Sequence, residues 1–120
     1  HAEIALGDND TLSAHYASRI AKSALFGSNV RLVLLTDVDG LYRDMGNRDS
    51  LISEVHSPDE FWNLAGGAGS ENGTGGMKTK FAAYDICFKA GIDMWIANGQ
   101  TENAIQQALN GETGTHFLPN

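Results

Sequence analysis

Residues 30–40 read Val30-Arg31-Leu32-Val33-Leu34-Leu35-Thr36-Asp37-Val38-Asp39-Gly40. The first seven form a short and nearly continuous apolar run, which is typical of a β-strand covered on both faces. The polar residues that follow predict a loop at the carboxyl end of this strand. A covered strand that ends in such a loop indicates an α/β sheet, in which ligands bind beyond the carboxyl ends of the strands.

Helical and strand patterns alternate along the rest of the chain. This alternation implies right-handed crossovers and a mainly parallel sheet sandwiched by helices. A length of 120 residues corresponds to one domain, residues 1–120. The patterns predict strands at 2–6, 30–36, 51–55, 92–97 and 115–118. A first helix begins at Asp10 or Thr11, carries Leu12, Tyr16, Ile20 and Ala24 at helical spacing and ends before Gly27. Further helices are predicted at 58–64 and 101–109, and between them one that carries Met77, Phe81, Tyr84 and Phe88 on one face and is ended by Gly91.

Charge and composition exclude several classes of partner. The net charge is -7, with 15 acidic against 8 basic residues, which argues against nucleic acid as a partner. The longest apolar runs, such as 32–35, have four residues and are too short to span a bilayer. The single Cys87 excludes an internal disulfide and suits a reducing cytoplasm.

The glycine-rich segment, residues 65–80, carries the strongest physical signal. Six of the eleven residues from Gly66 to Gly76 are glycine, and Lys78 and Lys80 follow in the first turn of an expected helix. Glycine lets backbone N–H groups approach an anion, and cations at a helix N-terminus are unfavourable unless an anion binds there. The segment therefore predicts a phosphate-binding loop, although a flexible surface loop would also be glycine-rich. It is not a Walker A motif, because Met77 stands where that motif has glycine.

Three polar side chains end the first expected strand, in Gly7-Asp8-Asn9-Asp10. Asp10 could cap the following helix in any fold. Capping accounts for one of the three more easily than for all of them. Together they could accept hydrogen bonds from a substrate ammonium group or orient a cationic side chain.

The loop Asp37-Val38-Asp39-Gly40 has several interpretations. It could form an Asx-type turn with Gly40 at positive φ, or it could contact a nucleotide or a metal. An EF-hand loop fails because its sixth position needs glycine and holds Tyr42. The loop also resembles the first motif of haloacid-dehalogenase-like phosphatases, with Asp37 as nucleophile, although Leu41 stands where that family usually has threonine. The four histidines show no metal-ligand spacing, so no metal-ligating residues are predicted.

Three stretches together resemble the amino acid kinase family. They are Gly7-Asp8-Asn9-Asp10-Thr11-Leu12-Ser13-Ala14, Leu34-Leu35-Thr36-Asp37-Val38-Asp39-Gly40-Leu41-Tyr42 and Gly73-Thr74-Gly75-Gly76-Met77-Lys78-Thr79-Lys80. Further similarity continues to Pro119, so the resemblance covers nearly the whole chain. The combination of the first and third stretches is similar to the members that act on L-glutamate.

The resemblance implies ATP-dependent phosphorylation of the side-chain carboxylate of L-glutamate to glutamyl 5-phosphate, the first step of proline biosynthesis. It implies ATP and Mg²⁺ as cofactors and a homo-oligomer as the assembly. Lys80 and Asp10 would be catalytic, with Asp10 orienting lysines, and Asn9 and Asp8 would bind glutamate. Nucleotide contacts are implied for Thr36, Asp37, Thr74, Gly75, Gly76, Met77, Lys78, Thr79 and Lys80.

The resemblance also implies a partial domain. The family's N-terminal half, with another catalytic lysine, and the RNA-modification-type domain that ends many bacterial members have no counterpart in residues 1–120. The chain begins at His1, so we expect it to be the nucleotide-binding half of a longer kinase domain. By itself it is expected to bind nucleotide weakly and to catalyse nothing. A non-catalytic nucleotide-binding fragment thus stays an alternative beside the phosphatase.

Overall fold

The computed structural model describes residues 10–23, 30–44, 47–64 and 76–120. Within these ranges the chain forms α1 (Asp10–Ala21), β1 (Arg31–Thr36), a 3-10 turn (Arg48–Ser50), β2 (Glu54–Val55), α2 (Pro58–Leu64), α3 (Gly76–Ala90), β3 (Asp93–Asn98), α4 (Ala104–Leu109) and β4 (Thr115–Phe117). The expected elements in these ranges are confirmed, although α1, β1, β2, α4 and β4 are shorter than predicted, with α1 ending at Ala21 and not beyond Ala24. The expected strand at 2–6 lies outside the described residues.

The four strands form one sheet in the order β1-β3-β4-β2. β1 pairs with β3 in parallel, and β2 pairs with β4 in parallel. The central pair, β3 and β4, is antiparallel. Two of the three pairs are therefore parallel, as expected for a mainly parallel sheet, and Thr36 and Asn98 lie side by side at the carboxyl ends of β1 and β3.

The antiparallel pair has a short helix between its strands. Residues 99–114 connect β3 to β4, and α4 contributes only six of them, about 9 Å. The chain enters β4 near the edge where β3 ends, with Thr115 opposite Ile96.

Apolar residues cover both faces of the sheet. Along β1, Leu32 and Leu34 join a large core cluster, while Val33 joins a second cluster on the other face. Residues of α1, α2 and α3 contribute to the large cluster, and residues of α4 contribute to the second. This alternation confirms the interpretation of 30–36 as a strand covered on both sides.

The buried face of α1 differs from the one that its large apolar residues suggest. Leu12 and Tyr16 are 51% and 55% exposed. Small residues are buried instead, namely Ser13, Ala14 and Ala17. α1 packs against α3, and small side chains let two helix backbones approach closely. The apolar spacing therefore marks the helix correctly but not the side that it buries.

The loop after β1 packs directly against β4. Leu41 donates its backbone N–H to Thr115 Oγ1 at 2.9 Å, and the same hydroxyl donates to the carbonyl of Ile52 at 2.7 Å. Gly40, whose φ is 158°, lies so close that a Cβ on it would be 2.5 Å from Thr115 Oγ1. Glycine is thus required for the close approach of this loop to the sheet.

Cys87 is a core residue, as expected. It lies in α3 and is fully buried, and burial raises the pKa of its thiol to about 12. Among the described helices, none combines the length and the apolar character that a bilayer crossing requires.

Candidate functional site

The candidate site begins where the N-termini of α1 and α3 meet. Asp10 is the first residue of α1, and Lys80 lies in the first turns of α3. Lys80 Nζ is 3.3 Å from Asp10 Oδ2, and the two side chains are only 10% and 11% exposed. Thr79 Oγ1 donates to the same carboxylate oxygen at 3.1 Å. A buried ammonium–carboxylate pair therefore joins the two helix starts.

The positions of these two charges explain why they pair. The N-terminus of a helix carries a partial positive charge, which favours Asp10 at the start of α1 and disfavours Lys80 near the start of α3. The carboxylate of Asp10 supplies the negative charge that Lys80 needs. The expectation that both lysines require a bound anion is thus modified, because a side chain of the protein itself neutralises one of them.

Lys78 has different surroundings. It lies two residues before Lys80, and its side chain is exposed. Met77, also predicted to contact the nucleotide, packs against the large core cluster, and Gly76 begins α3. The start of α3 therefore combines helical N–H groups with one exposed cation, an arrangement that attracts phosphate oxygens.

Four of the predicted site residues cannot be placed. Asp8, Asn9, Thr74 and Gly75 lie outside the described residues. Their assigned contacts with glutamate and nucleotide stay predictions.

Thr36 and Asp37 lie at the carboxyl end of β1, as predicted for residues that bind a ligand in such a sheet. The Thr36 hydroxyl accepts from the N–H of Val38 at 3.0 Å and lies 2.9 Å from the Val38 carbonyl. A threonine hydroxyl, and not an aspartate, therefore makes the expected turn. The side chain of Asp37 is exposed, so it can reach a ligand at this edge.

A second polar cluster at this edge was missed by the sequence analysis; we call it the edge cluster, Asp39, Tyr42 and Asn98. Tyr42 donates its hydroxyl to Asp39 Oδ2 at 2.6 Å, and Asn98 Nδ2 donates to Asp39 Oδ1 at 3.1 Å. Asn98 is the last residue of β3, and a polar residue at a strand end was the signal that could have drawn attention to it.

The helix starts and the edge cluster belong to the same end of the domain. α3 has 15 residues, about 22 Å, and only Gly91 and Ile92 separate it from β3. A helix that packs back on the sheet through so short a connection begins near the carboxyl end of its strand. The start of α3 is therefore expected beyond Asn98, on the side where a ligand would bind.

Two other features of the described residues are separate from this site. A cavity of about 290 Å³ lies between α4 and β4, where His116 stacks on Trp95 with 4.1 Å between the ring centroids. It includes none of the predicted site residues. Nor does the described part of the chain hold a group of three or more His, Cys, Asp or Glu side chains that could bind a metal ion.

Comparison with known proteins decides the family. The sequence profile of the amino acid kinase family matches residues 1–98. The chain belongs to the amino acid kinase family. The resemblance seen in the motifs is thereby confirmed, and membership in this family favours a kinase over the phosphatase in which Asp37 would be the nucleophile.

Curated members of the amino acid kinase family are similar over nearly the whole chain. A glutamate 5-kinase of Thermoanaerobacter sp. (strain X514) is 46% identical over 123 residues, which cover 98% of this chain and 31% of that protein. A glutamate 5-kinase of Clostridium acetobutylicum is also 46% identical, over 122 residues that cover 98% of this chain and 43% of that protein. The chain thus spans less than half of either relative, which agrees with the expected partial domain.

Solved structures share the fold. A crystal structure from Aeropyrum pernix K1 matches with a TM-score of 0.64 at 21% identity, covering 94% of this chain and 33% of that one. Carbamate kinase from Giardia lamblia bound to AMP-PNP matches with a TM-score of 0.53 at 24% identity, covering 86% and 30%. These similarities confirm the amino acid kinase-like fold of a partial domain.

Proposed function

We propose that the protein carrying this chain transfers the γ-phosphate of ATP to the side-chain carboxylate of L-glutamate and forms glutamyl 5-phosphate. The observation that carries the proposal is the buried contact between Asp10 and Lys80 at the start of two helices. Membership in the amino acid kinase family and 46% identity to glutamate 5-kinases support the choice of reaction. The reaction would belong to proline biosynthesis, in the cytoplasm, and the active form would be a homo-oligomer.

Lys80 would supply positive charge to the phosphoryl group during transfer. Phosphoryl transfer depends mainly on positioning and on neutralising negative charge. Asp10 holds Lys80 in a fixed place, because the ammonium group is 3.3 Å from its carboxylate in a site closed to most solvent. The attacking group, a carboxylate, is already ionised at neutral pH, so the reaction needs no general base.

ATP would bind across the start of α3 and the end of β1. The exposed Lys78 and the first N–H groups of α3 favour phosphate oxygens. Thr36 and Asp37 would contact the rest of the nucleotide, with Thr74, Gly75, Gly76, Met77 and Thr79 contributing to the loop around it. Asp8 and Asn9, which directly precede Asp10, would bind glutamate.

Magnesium would enter together with ATP. Since the described residues offer no cluster of metal ligands, we assign no side chain of this chain to the ion. Bound to the nucleotide, Mg²⁺ would neutralise part of the phosphate charge. What the chain itself contributes is Lys80, held by Asp10, together with Lys78 and the helix start.

A substitution of Lys80 tests the proposed reaction. In the whole gene product we expect Lys80→Met to lower kcat for glutamate-dependent ATP consumption by about 100-fold or more, because a charge that acts on the transferred group is lost. Lys89→Met is the matched control, since Lys89 lies at the other end of α3 in an exposed pair with Asp85. The control should keep normal activity. A wild-type protein that consumes no ATP with glutamate, or a Lys80→Met variant with the wild-type kcat, would contradict the proposal.

A further inference from the structure

The carboxylate of Asp39 connects two parts of the chain that are 59 residues apart. One oxygen accepts from the hydroxyl of Tyr42 at 2.6 Å, within the loop that follows β1. The other accepts from the side-chain amide of Asn98 at 3.1 Å, at the end of β3. Both oxygens of Asp39 are therefore engaged by neutral donors.

Both polar atoms of the Asn98 side-chain amide are hydrogen-bonded. While its nitrogen donates to Asp39, its oxygen accepts from the backbone N–H of Gln100 at 2.9 Å. The donor and the acceptor of Asn98 thus cannot exchange places without losing both hydrogen bonds. Next to it, the N–H of Gly99 donates to the carbonyl of Thr36 at 2.8 Å.

These side-chain bonds are not needed to align the strands themselves. β1 and β3 are already paired along six residues, from Arg31 with Asp93 to Thr36 with Asn98. The edge cluster acts on the loop beyond the last pair, where parallel sheets of this kind bind their ligands. Through Asn98 it anchors Asp39, which directly follows Asp37 and Val38, to the end of β3.

We propose that Asp39 and Asn98 are positioning residues that hold Thr36 and Asp37 in place for the nucleotide. The inference rests on the proposed function, because it takes the nucleotide to bind at the end of β1. Asp39 acts through its hydrogen bonds and does not itself contact the nucleotide. Weakening the edge cluster should therefore reduce affinity for ATP and leave affinity for glutamate unchanged.

A single substitution at Asn98 can remove the side-chain donor to Asp39 and keep the acceptor for Gln100. Asn98→Asp keeps an oxygen that accepts from Gln100 but places a second carboxylate where the amide now lies 3.1 Å from Asp39. Two carboxylates so close repel each other and displace the loop. In the whole gene product we expect KM for ATP and Kd for AMP-PNP to rise about tenfold, with KM for glutamate within about twofold of wild type.

The reciprocal change should restore the contact. In the double variant Asp39→Asn/Asn98→Asp, the new amide can donate to the new carboxylate while its oxygen accepts from Tyr42. We expect Kd for AMP-PNP to return to within about threefold of wild type. Asp85→Asn, in an exposed pair on α3, is the control and should leave all constants unchanged.

The outcomes separate this inference from the proposed function. Equal AMP-PNP affinity in wild type and Asn98→Asp overturns the inference, and so does a loss that affects both substrates equally without recovery in the double variant. A wild type that binds AMP-PNP but shows no glutamate-dependent turnover overturns the proposed function alone. A wild type that binds no nucleotide overturns both.

Discussion

Two carboxylates near the candidate site are held by different kinds of partner. Asp10 is buried between two helix starts and faces the ammonium group of Lys80. Asp39 lies half-buried at the sheet edge and faces the neutral donors of Tyr42 and Asn98. The first arrangement fixes a positive charge, whereas the second fixes a stretch of backbone. Substitutions in the two regions should consequently differ both in their cost to stability and in the kinetic constant that they change.

The largest loss of stability is expected at the helix starts. Asp10→Ala removes a carboxylate that contacts the ammonium group of Lys80 in a nearly closed site, which should lower the free energy of unfolding by about 3–5 kcal/mol. Asp85→Ala breaks an exposed pair with Lys89 and should cost about 0.5 kcal/mol or less. Urea denaturation of the whole gene product, followed by circular dichroism, measures both.

The reactivity of Cys87 provides a second measurement of the loss of stability in Asp10→Ala. Burial raises the pKa of its thiol to about 12, so at pH 8 the folded protein presents neither an accessible sulfur nor a thiolate. Alkylation should proceed through opened molecules and should be faster in Asp10→Ala than in the Asp85→Ala control. Equal alkylation rates in the two variants would show that the buried pair contributes no more than the exposed one.

A smaller loss is expected at the sheet edge. Asp39→Ala removes the acceptor of the Tyr42 hydroxyl and the Asn98 amide, so the free energy of unfolding should fall by about 1–3 kcal/mol. Asp37→Ala, two residues earlier and exposed, should change stability by about 0.5 kcal/mol or less. Thermal or urea unfolding compares the two variants. A greater cost for Asp37→Ala than for Asp39→Ala would reverse the proposed roles of these neighbours.

The smallest effect is expected at Thr79, which lies between the exposed Lys78 and the buried Lys80. Thr79→Val removes the 3.1 Å hydrogen bond to Asp10 and should cost about 1 kcal/mol. Thr79→Ser keeps the hydroxyl and should retain most of that stability. If serine and valine destabilise the protein equally, the methyl group of Thr79 matters and its hydroxyl does not.

Local patterns predicted most of the fold. α2 has the predicted bounds, and β1 begins one residue later than predicted. α4 begins three residues later than predicted because Asn103, just before it, adopts a left-handed conformation with φ 58°. The buried face of α1 was not predictable from its large apolar residues. The choice of Ala14 and Ala17 as the buried side depends on how closely α3 approaches, which is a tertiary property.

The candidate site was predicted less completely. Family resemblance suggested that Asp10 orients lysines, and the structure brings Asp10 and Lys80 into contact, although their catalytic roles stay predictions. The contact between Asp39 and Asn98 had no local signal, because it depends on the register of two strands that are far apart in sequence. Contacts of this kind follow from the sheet as a whole and not from either segment.

The close packing of Gly40 against Thr115 has a consequence for protein engineering. Any side chain at position 40 would meet the Thr115 hydroxyl and lift the backbone that leads back to Val38 and Asp37. Those two residues, in contrast, are exposed. If the proposed nucleotide site is correct, a mutant library that seeks a different nucleotide preference should vary positions 37 and 38 and keep glycine at position 40.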